Sequence, residues 1–188
     1  MVRINVYPVE EYKQAFAVSK SYVENLNDQF DQLRKLSKRE HKIPAANQNQ
    51  LPYIEFIDAS QIFHARAKTL NFQNGKGLIF LTQYSFEAYF FCLNNHDLDY
   101  VFQGLTDDNK YFVQIHFPIS SPEMPQTADD VKNKNCGLPK DMFANNKNTA
   151  LYQKYTSKMA RKLDQWSSEK FNPNADKIES LVRSLTIK

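Results

Sequence analysis

The residues best suited to acid–base chemistry are the histidines and the carboxylates near them. The chain has four histidines, His41, His64, His96 and His116. An imidazole exchanges a proton near neutral pH, and a carboxylate beside it keeps the ring oriented, so such a pair suits a hydrolase. The stretch HDLD supplies two carboxylates, Asp97 and Asp99. One functional hypothesis is therefore a hydrolase-type enzyme that uses His64 or His116 with a nearby carboxylate of this stretch.

Metal and cofactor chemistry has less support. His64 and His116 fall on the polar side of predicted strands, where we expect solvated side chains. Two imidazoles that met across paired strands would still need a third ligand to hold zinc, and HDLD has no recognised metal-ligand spacing. The sequence also has no P-loop, Rossmann fingerprint, EF-hand, CxxC or G-x-S-x-G motif. We therefore predict no metal site, no cofactor and no assigned catalytic residue.

An aromatic-rich segment is the candidate ligand-binding site. Its members are Tyr84, Phe86, Tyr89, Phe90, Phe91 and His96. Aromatic rings give a large contact area at a small entropic cost, so they suit the wall of a binding groove. The alternative is that these rings form the core beneath the helices, as the burial tendency of aromatic residues favours.

Two adjacent carboxylates, Asp107 and Asp108, are predicted to form a turn and to have no catalytic role. A loop at residues 107–110 lets the flanking residues pair as two antiparallel strands. The predicted pairs are Tyr100 with Phe117, Phe102 with Ile115 and Gly104 with Val113 on one face, and Val101 with His116 and Gln103 with Gln114 on the other. Asp and Asn stabilise such loops by bonding their own backbone.

The elements that position these residues follow from hydrophobic periodicity. Steps of three and four predict one continuous helix from about residue 9 to 36. Its stripe consists of Tyr12, Phe16, Ser19, Val23, Leu26, Phe30 and Leu33. Strands are predicted at 60–72 and 78–84, ahead of the hairpin, and residues 85–93 fit either a strand or a short helix. Two helices follow after residue 148, the last one capped by Asn172 with Pro173 in its first turn.

This order of elements predicts a single α+β domain over residues 1–188. An antiparallel sheet of four to five strands is covered by the long N-terminal helix and the two C-terminal helices. With 41% hydrophobic residues the chain can form a substantial core. No apolar run approaches the roughly 20 residues of a membrane-spanning helix, and no signal peptide is visible. Whether Cys92 and Cys136 are bonded is left open.

Charge is unevenly distributed along the chain. Between Lys132 and Lys162 eight basic residues accompany one acid, Asp141. This basic segment is a possible site for an anionic partner, unless acidic elements pack against it. The basic residues lie apart in sequence from the aromatic segment and no RNP-type motif is present, so no specific nucleic acid binding is expected.

Six segments between residues 59 and 125 form a recognisable pattern. They are ASQIFHA (59–65), LNFQNGKG (70–77), FLTQY (80–84), NN (94–95), YVFQGLTDDNKYFV (100–113) and FPISSPEMP (117–125). The pattern resembles a family of bacterial domains of unknown activity that are carried by exported or lipid-anchored proteins. Several members have Gly at the position of Asn109, which suits a turn. The resemblance implies an extracytoplasmic location, with the export signal absent from this chain, and it implies no catalytic residues.

Together these observations predict a non-catalytic binding or interaction domain of the bacterial cell envelope. Its partner would be an envelope component or a small ligand. The hydrolase is the alternative function, and a cytoplasmic location is the alternative compartment.

Overall fold

The fold is described by a computed structural model that covers residues 1–17, 19–45, 51–52, 54, 59–85, 90–128, 138 and 149–188. Within these residues the chain forms one mixed sheet-and-helix structure with five strands and four helices. The strands are β1 (Arg3–Pro8), β2 (Ser60–Phe72), β3 (Gly75–Ser85), β4 (Asp99–Thr106) and β5 (Tyr111–Pro118). The helices are α1 (Val9–Ala15), α2 (Lys20–Ser37), α3 (Thr149–Gln165) and α4 (Ala175–Ser184). The predicted α+β class is confirmed.

The five strands form one antiparallel sheet in the order β1-β5-β4-β3-β2. β2, β3, β4 and β5 are the predicted strands. β1 was not predicted, because its residues are mostly polar or exposed and its alternation is short. It pairs with β5 through Ile4 opposite Ile115 and Val6 opposite Val113, at the edge of the sheet.

The hairpin of β4 and β5 has the predicted register, with Tyr100 opposite Phe117 and Phe102 opposite Ile115. Its turn is stabilised by Asp108, whose Oδ1 accepts hydrogen bonds from the Thr106 hydroxyl at 2.7 Å and the Lys110 amide at 3.1 Å. The bond from Thr106 also holds the pKa of Asp108 below its usual value. The structural role predicted for this carboxylate is therefore confirmed.

The prediction of one long N-terminal helix was wrong, because the structure has two helices in this region. α1 ends at Ala15, and Ser19 caps α2 by accepting a hydrogen bond from the Tyr22 amide at 3.2 Å. Serine favours a helix N-terminus because its hydroxyl replaces a missing backbone partner. Both helices pack on the same sheet face, so the apolar stripe continues across the break and conceals it in the sequence.

The start of the last helix also differs from the prediction. Asn174, and not Asn172, caps α4, and its side chain accepts hydrogen bonds from the Asp176 and Lys177 amides. Asn172 instead exchanges two backbone hydrogen bonds with Ser120. The prediction placed the cap two residues early because either asparagine fits the sequence rule.

The core has two layers, one on each face of the sheet. On the α1/α2 face, Phe30 and Leu33 of α2 pack against Phe80 and Phe112. On the α3/α4 face, α3 and α4 cover the other side of the same strands. The buried residues of that face include Ile79, Tyr100, Phe102, Ile115, Ala160, Leu163, Ile178 and Val182. Both sides of the central strands are therefore buried. The alternation of polar and apolar residues had suggested that one side faces solvent, and it does not.

Candidate functional site

A row of polar side chains crosses the α1/α2 face of the sheet near one end. Strand pairing places His64 opposite Thr82, and Thr82 opposite Asp99. The next row on this face has Val101 opposite His116, and the row after it has Gln103 opposite Gln114. We call His64, Thr82, Asp99, Gln103, Gln114 and His116 the polar band. All of these except Asp99 are buried.

Within the polar band, His116 and Asp99 form a pair. The Nδ1 atom of His116 lies 3.2 Å from Oδ2 of Asp99. An ionised carboxylate can only accept, so the proton belongs to Nδ1 and Nε2 is left as the basic nitrogen. His116 is 2% exposed, while the side chain of Asp99 is 22% exposed. The carboxylate thus reaches the surface and the imidazole lies behind it.

The other carboxylate of HDLD has a different role. Asp97 Oδ2 accepts hydrogen bonds from two side-chain amides, that of Asn94 at 3.0 Å and that of Gln83 at 3.4 Å. Its own backbone amide donates to Asn94 Oδ1 at 3.2 Å. Asp97 therefore organises the loop before β4, and the carboxylate that meets His116 is Asp99.

The glutamines of the polar band have buried amide atoms that lack hydrogen-bond partners. Both amide atoms of Gln103, and Nε2 of Gln114, are buried without a hydrogen-bond partner among the described residues. Buried amides in folded proteins almost always have partners, because burying them unbonded costs free energy. These two side chains therefore offer donors and an acceptor that water or a ligand can satisfy.

His64 lies at the opposite end of the polar band from His116. Burial lowers the pKa of His64, although the backbone carbonyls of Pro44 and Ala45 beside the ring favour its charged form. Its Nε2 has no partner within the described part of the chain. The expectation that His64 and His116 are solvated was wrong, since each is only 2% exposed. Helices and connections cover both sheet faces, so polar alternation here does not indicate solvent.

The described members of the aromatic segment do not lie together. The ring of Tyr84 lies 6.5 Å from that of His116, next to the polar band. Phe90 stacks on Tyr152 of α3 at 4.5 Å. Phe91 is half-buried and His96 is 77% exposed, so the latter lies at the surface. Phe86 and Tyr89 lie outside the described residues, and the predicted aromatic groove stays a prediction.

The NN and SSPEMP pieces of the sequence pattern contact each other. The side chain of Asn95 accepts from the Ser121 amide at 2.8 Å and donates to the carbonyls of Ser121 and Met124 at 2.9 and 3.2 Å. These bonds fasten the loop before β4 to the segment after β5. The two pieces therefore have a structural role that the sequence did not reveal.

Only part of the basic segment is described, and it lies on α3. Lys154, Lys158 and Arg161 are exposed there. Lys162 lies 4.0 Å from Glu123, which also pairs with Lys170. The positive charge of this helix is thus partly neutralised by one carboxylate, and an anionic partner for the remainder stays a prediction.

Cys92 is buried and takes part in a disulfide. The second cysteine of the sequence, Cys136, lies outside the described residues. Within the described ranges, no cluster of three or more His, Cys, Asp or Glu side chains is arranged to hold a metal ion. None of the described helices combines the length and apolar character needed to cross a bilayer.

Comparison of the chain with protein-family models, with curated proteins and with solved structures gave no match. The resemblance to exported bacterial domains therefore stays a prediction.

Proposed function

We propose that this chain is a ligand-binding domain of the bacterial cell envelope and that the polar band holds a small, uncharged polar molecule. The supporting observation is Gln103, whose amide oxygen and nitrogen are both buried and unbonded within the described structure. A molecule with hydroxyl or amide groups satisfies such atoms and makes the site selective, because an apolar analogue would leave them unpaired.

The envelope location is supported by the disulfide at Cys92. Disulfides form and persist in oxidising compartments and are rare in the cytosol. The sequence resemblance to exported domains points to the same compartment.

A matched pair of glutamines tests whether the polar band is built for binding. Gln103 and Gln83 are both 0% exposed, but Gln83 bonds Asp97 and the Asn94 amide. We expect Gln103→Met to raise the free energy of unfolding by about 1–3 kcal/mol, because it removes unsatisfied buried groups. We expect Gln83→Met to lower the free energy of unfolding by a similar amount, because the substitution removes the hydrogen bonds to Asp97 and to the Asn94 backbone amide.

The same variants test whether Gln103 takes part in ligand binding. In a thermal-shift screen of monosaccharides, amino acids and small amides, we expect at least one compound to stabilise the wild-type chain and to lose this effect in Gln103→Met. If Gln103→Met is destabilised like Gln83→Met, Gln103 serves the fold and the proposal fails.

The second candidate is a hydrolase, which the 3.2 Å contact between His116 and Asp99 favours. In such an enzyme Asp99 would orient the ring and His116 Nε2 would act as the general base. Hydrolysis of p-nitrophenyl acetate is the assay, and Asp99→Asn should reduce the rate by about 10²–10⁴. Asp97→Asn is the control, since Asp97 bonds the loop and not His116. Equal rates in wild type and Asp99→Asn would reject the enzyme.

A further inference from the structure

A cavity of about 270 Å³ lies at the edge strand β2, apart from the row of glutamines. One wall is the stretch from His64 to Ala67, another is the connection after α2, and Asp164 of α3 stands at the side. The lining residues are Ile43, Pro44, Ala45, His64, Ala65, Arg66, Ala67 and Asp164. Five of the eight lining residues have apolar side chains, although polar atoms make up more of the exposed lining, and the volume suits a small molecule.

The wall formed by β2 is held in an unfavourable backbone conformation. Arg66 has a φ of 52°, and the pairing with β3 is irregular between Ala65 and Lys68. A bulky residue rarely adopts positive φ, and such strain persists where surrounding contacts enforce it, often at ligand sites. Asp164 supplies such a contact, because its Oδ1 accepts a hydrogen bond from the Arg66 amide.

The guanidinium of Arg66 is bonded to groups outside the cavity lining. It donates to the Trp166 carbonyl and to the Ser168 hydroxyl, the latter at 3.0 Å, and lies 5.4 Å from the Phe171 ring. These partners hold it at the end of α3, beneath the α3/α4 face.

The charge that remains at the cavity is the carboxylate of Asp164. It is exposed and forms no ion pair with any described residue. Its Oδ1 accepts from the Arg66 amide, so Oδ2 is available for a further donor. The lowered pKa of His64 keeps that ring neutral at pH 7, so it adds no opposing charge. A cavity that combines aliphatic side chains with one carboxylate at its side suits a small organic cation.

We propose that the cavity beside β2 is a second binding site, which takes a small organic ammonium ion: its apolar body contacts Ile43, Ala65 and Ala67, and its ammonium group pairs with Asp164. The site shares His64 with the polar band, but its carboxylate comes from α3 and its other walls come from the sheet edge and the connection after α2.

Three probes of one shape test the charge preference: benzylamine, benzyl alcohol and benzoate, titrated at pH 7.5 against the ¹⁵N-labelled chain. We expect benzylamine to shift the amides of residues 43, 45, 64–67 and 164 with a Kd of about 1 mM, as suits so small a ligand. Benzyl alcohol should bind at least about five-fold more weakly, and benzoate should cause no saturable shift, because each lacks the charge that the carboxylate attracts.

Asp164→Asn should weaken benzylamine at least about five-fold, since it removes the charge. It keeps an oxygen that accepts from the Arg66 amide, so the bulge is preserved. Asp28→Asn is the control, because it removes one negative charge on the exposed side of α2. It should bind benzylamine as the wild type does. The proposal is overturned if benzoate binds the wild-type chain as well as benzylamine does, if benzylamine shifts only other residues, or if Asp164→Asn binds it unchanged.

Discussion

Buried polar residues of this chain belong to two groups that differ in their partners. On the α3/α4 face, the Tyr100 hydroxyl donates to Glu179 at 2.9 Å, and Lys68 lies 2.7 Å from the same carboxylate. On the α1/α2 face, Gln103 lies buried without such a partner in the described residues. Bonded groups contribute to a defined fold, whereas unbonded ones lower stability and are retained where function needs them.

A residue-scale prediction concerns His64 and pH. Above pH 6.5 the imidazole is neutral in both the folded and the unfolded chain and contributes nothing to pH dependence. As the pH falls through 6.5, the unfolded chain gains a proton that the folded chain, with its lowered pKa, does not yet bind. Stability therefore decreases with falling pH, by at most about 1.4 kcal/mol per pH unit.

The measurement is urea unfolding at pH 7.5, 6.5 and 5.5. We expect His64→Gln to reduce the loss of stability between the first and last of these values. His96→Gln is the comparison variant, because it removes an imidazole that is largely exposed. Identical pH profiles for wild type and His64→Gln would contradict the prediction.

The choice between the two HDLD carboxylates was within reach of the sequence. The predicted register places His116 opposite Val101, and Asp99 shares the face of Val101 once β4 begins at Asp99. Asp97 lies before β4 begins, where the alternation of side chains along a strand no longer applies. Only the structure therefore shows its bonds to Asn94 and Gln83. Burial of His64 and His116 was beyond the sequence, since it depends on what covers the sheet.

At the scale of elements, local signals predicted best. The hairpin succeeded because its turn residues and its pairing lie within a few residues of each other. The break between α1 and α2 was missed because Ser19 fits both a helix stripe and a helix cap. β1 was missed because its partner β5 is remote in the chain, so nothing near Arg3–Pro8 indicates pairing.

An element-scale prediction concerns the turn of the hairpin. Asn109 has a φ of 58°, which glycine adopts freely and alanine does not. Both replacements lose the 3.4 Å contact from Arg34 Nε to Asn109 Oδ1, so the difference between their stabilities reports the effect of backbone conformation. We expect Asn109→Ala to be less stable than Asn109→Gly by about 1 kcal/mol in urea unfolding. Equal stability of the two would show that the turn relaxes to negative φ.

At the scale of the whole molecule, helices on both sides of the sheet determine where polar groups are buried. The sequence indicated the helices and the strands, and the coarse α+β class followed. It did not assign α1 and α2 to one face and α3 and α4 to the other. That assignment makes both sides of β4 and β5 buried, and it encloses the polar band.

A whole-molecule prediction concerns the disulfide of Cys92. In denaturant and without reductant, we expect no thiol of the purified chain to react with Ellman's reagent, and two to react after reduction. We also expect reduction to lower the free energy of unfolding by about 2–4 kcal/mol, because the unfolded chain gains conformational freedom. Two reactive thiols before reduction would contradict the bond and weaken the case for an envelope location.

The position of β1 at the sheet edge has a consequence for how the domain assembles. β1 comes first among the described strands, yet its partner is β5, the last of them. During translation β1 therefore emerges long before the hairpin whose edge it pairs with, and until then its backbone has no sheet partner. Pairing over such a sequence separation is slow. The first of the described strands to be made is thus the last to join the sheet.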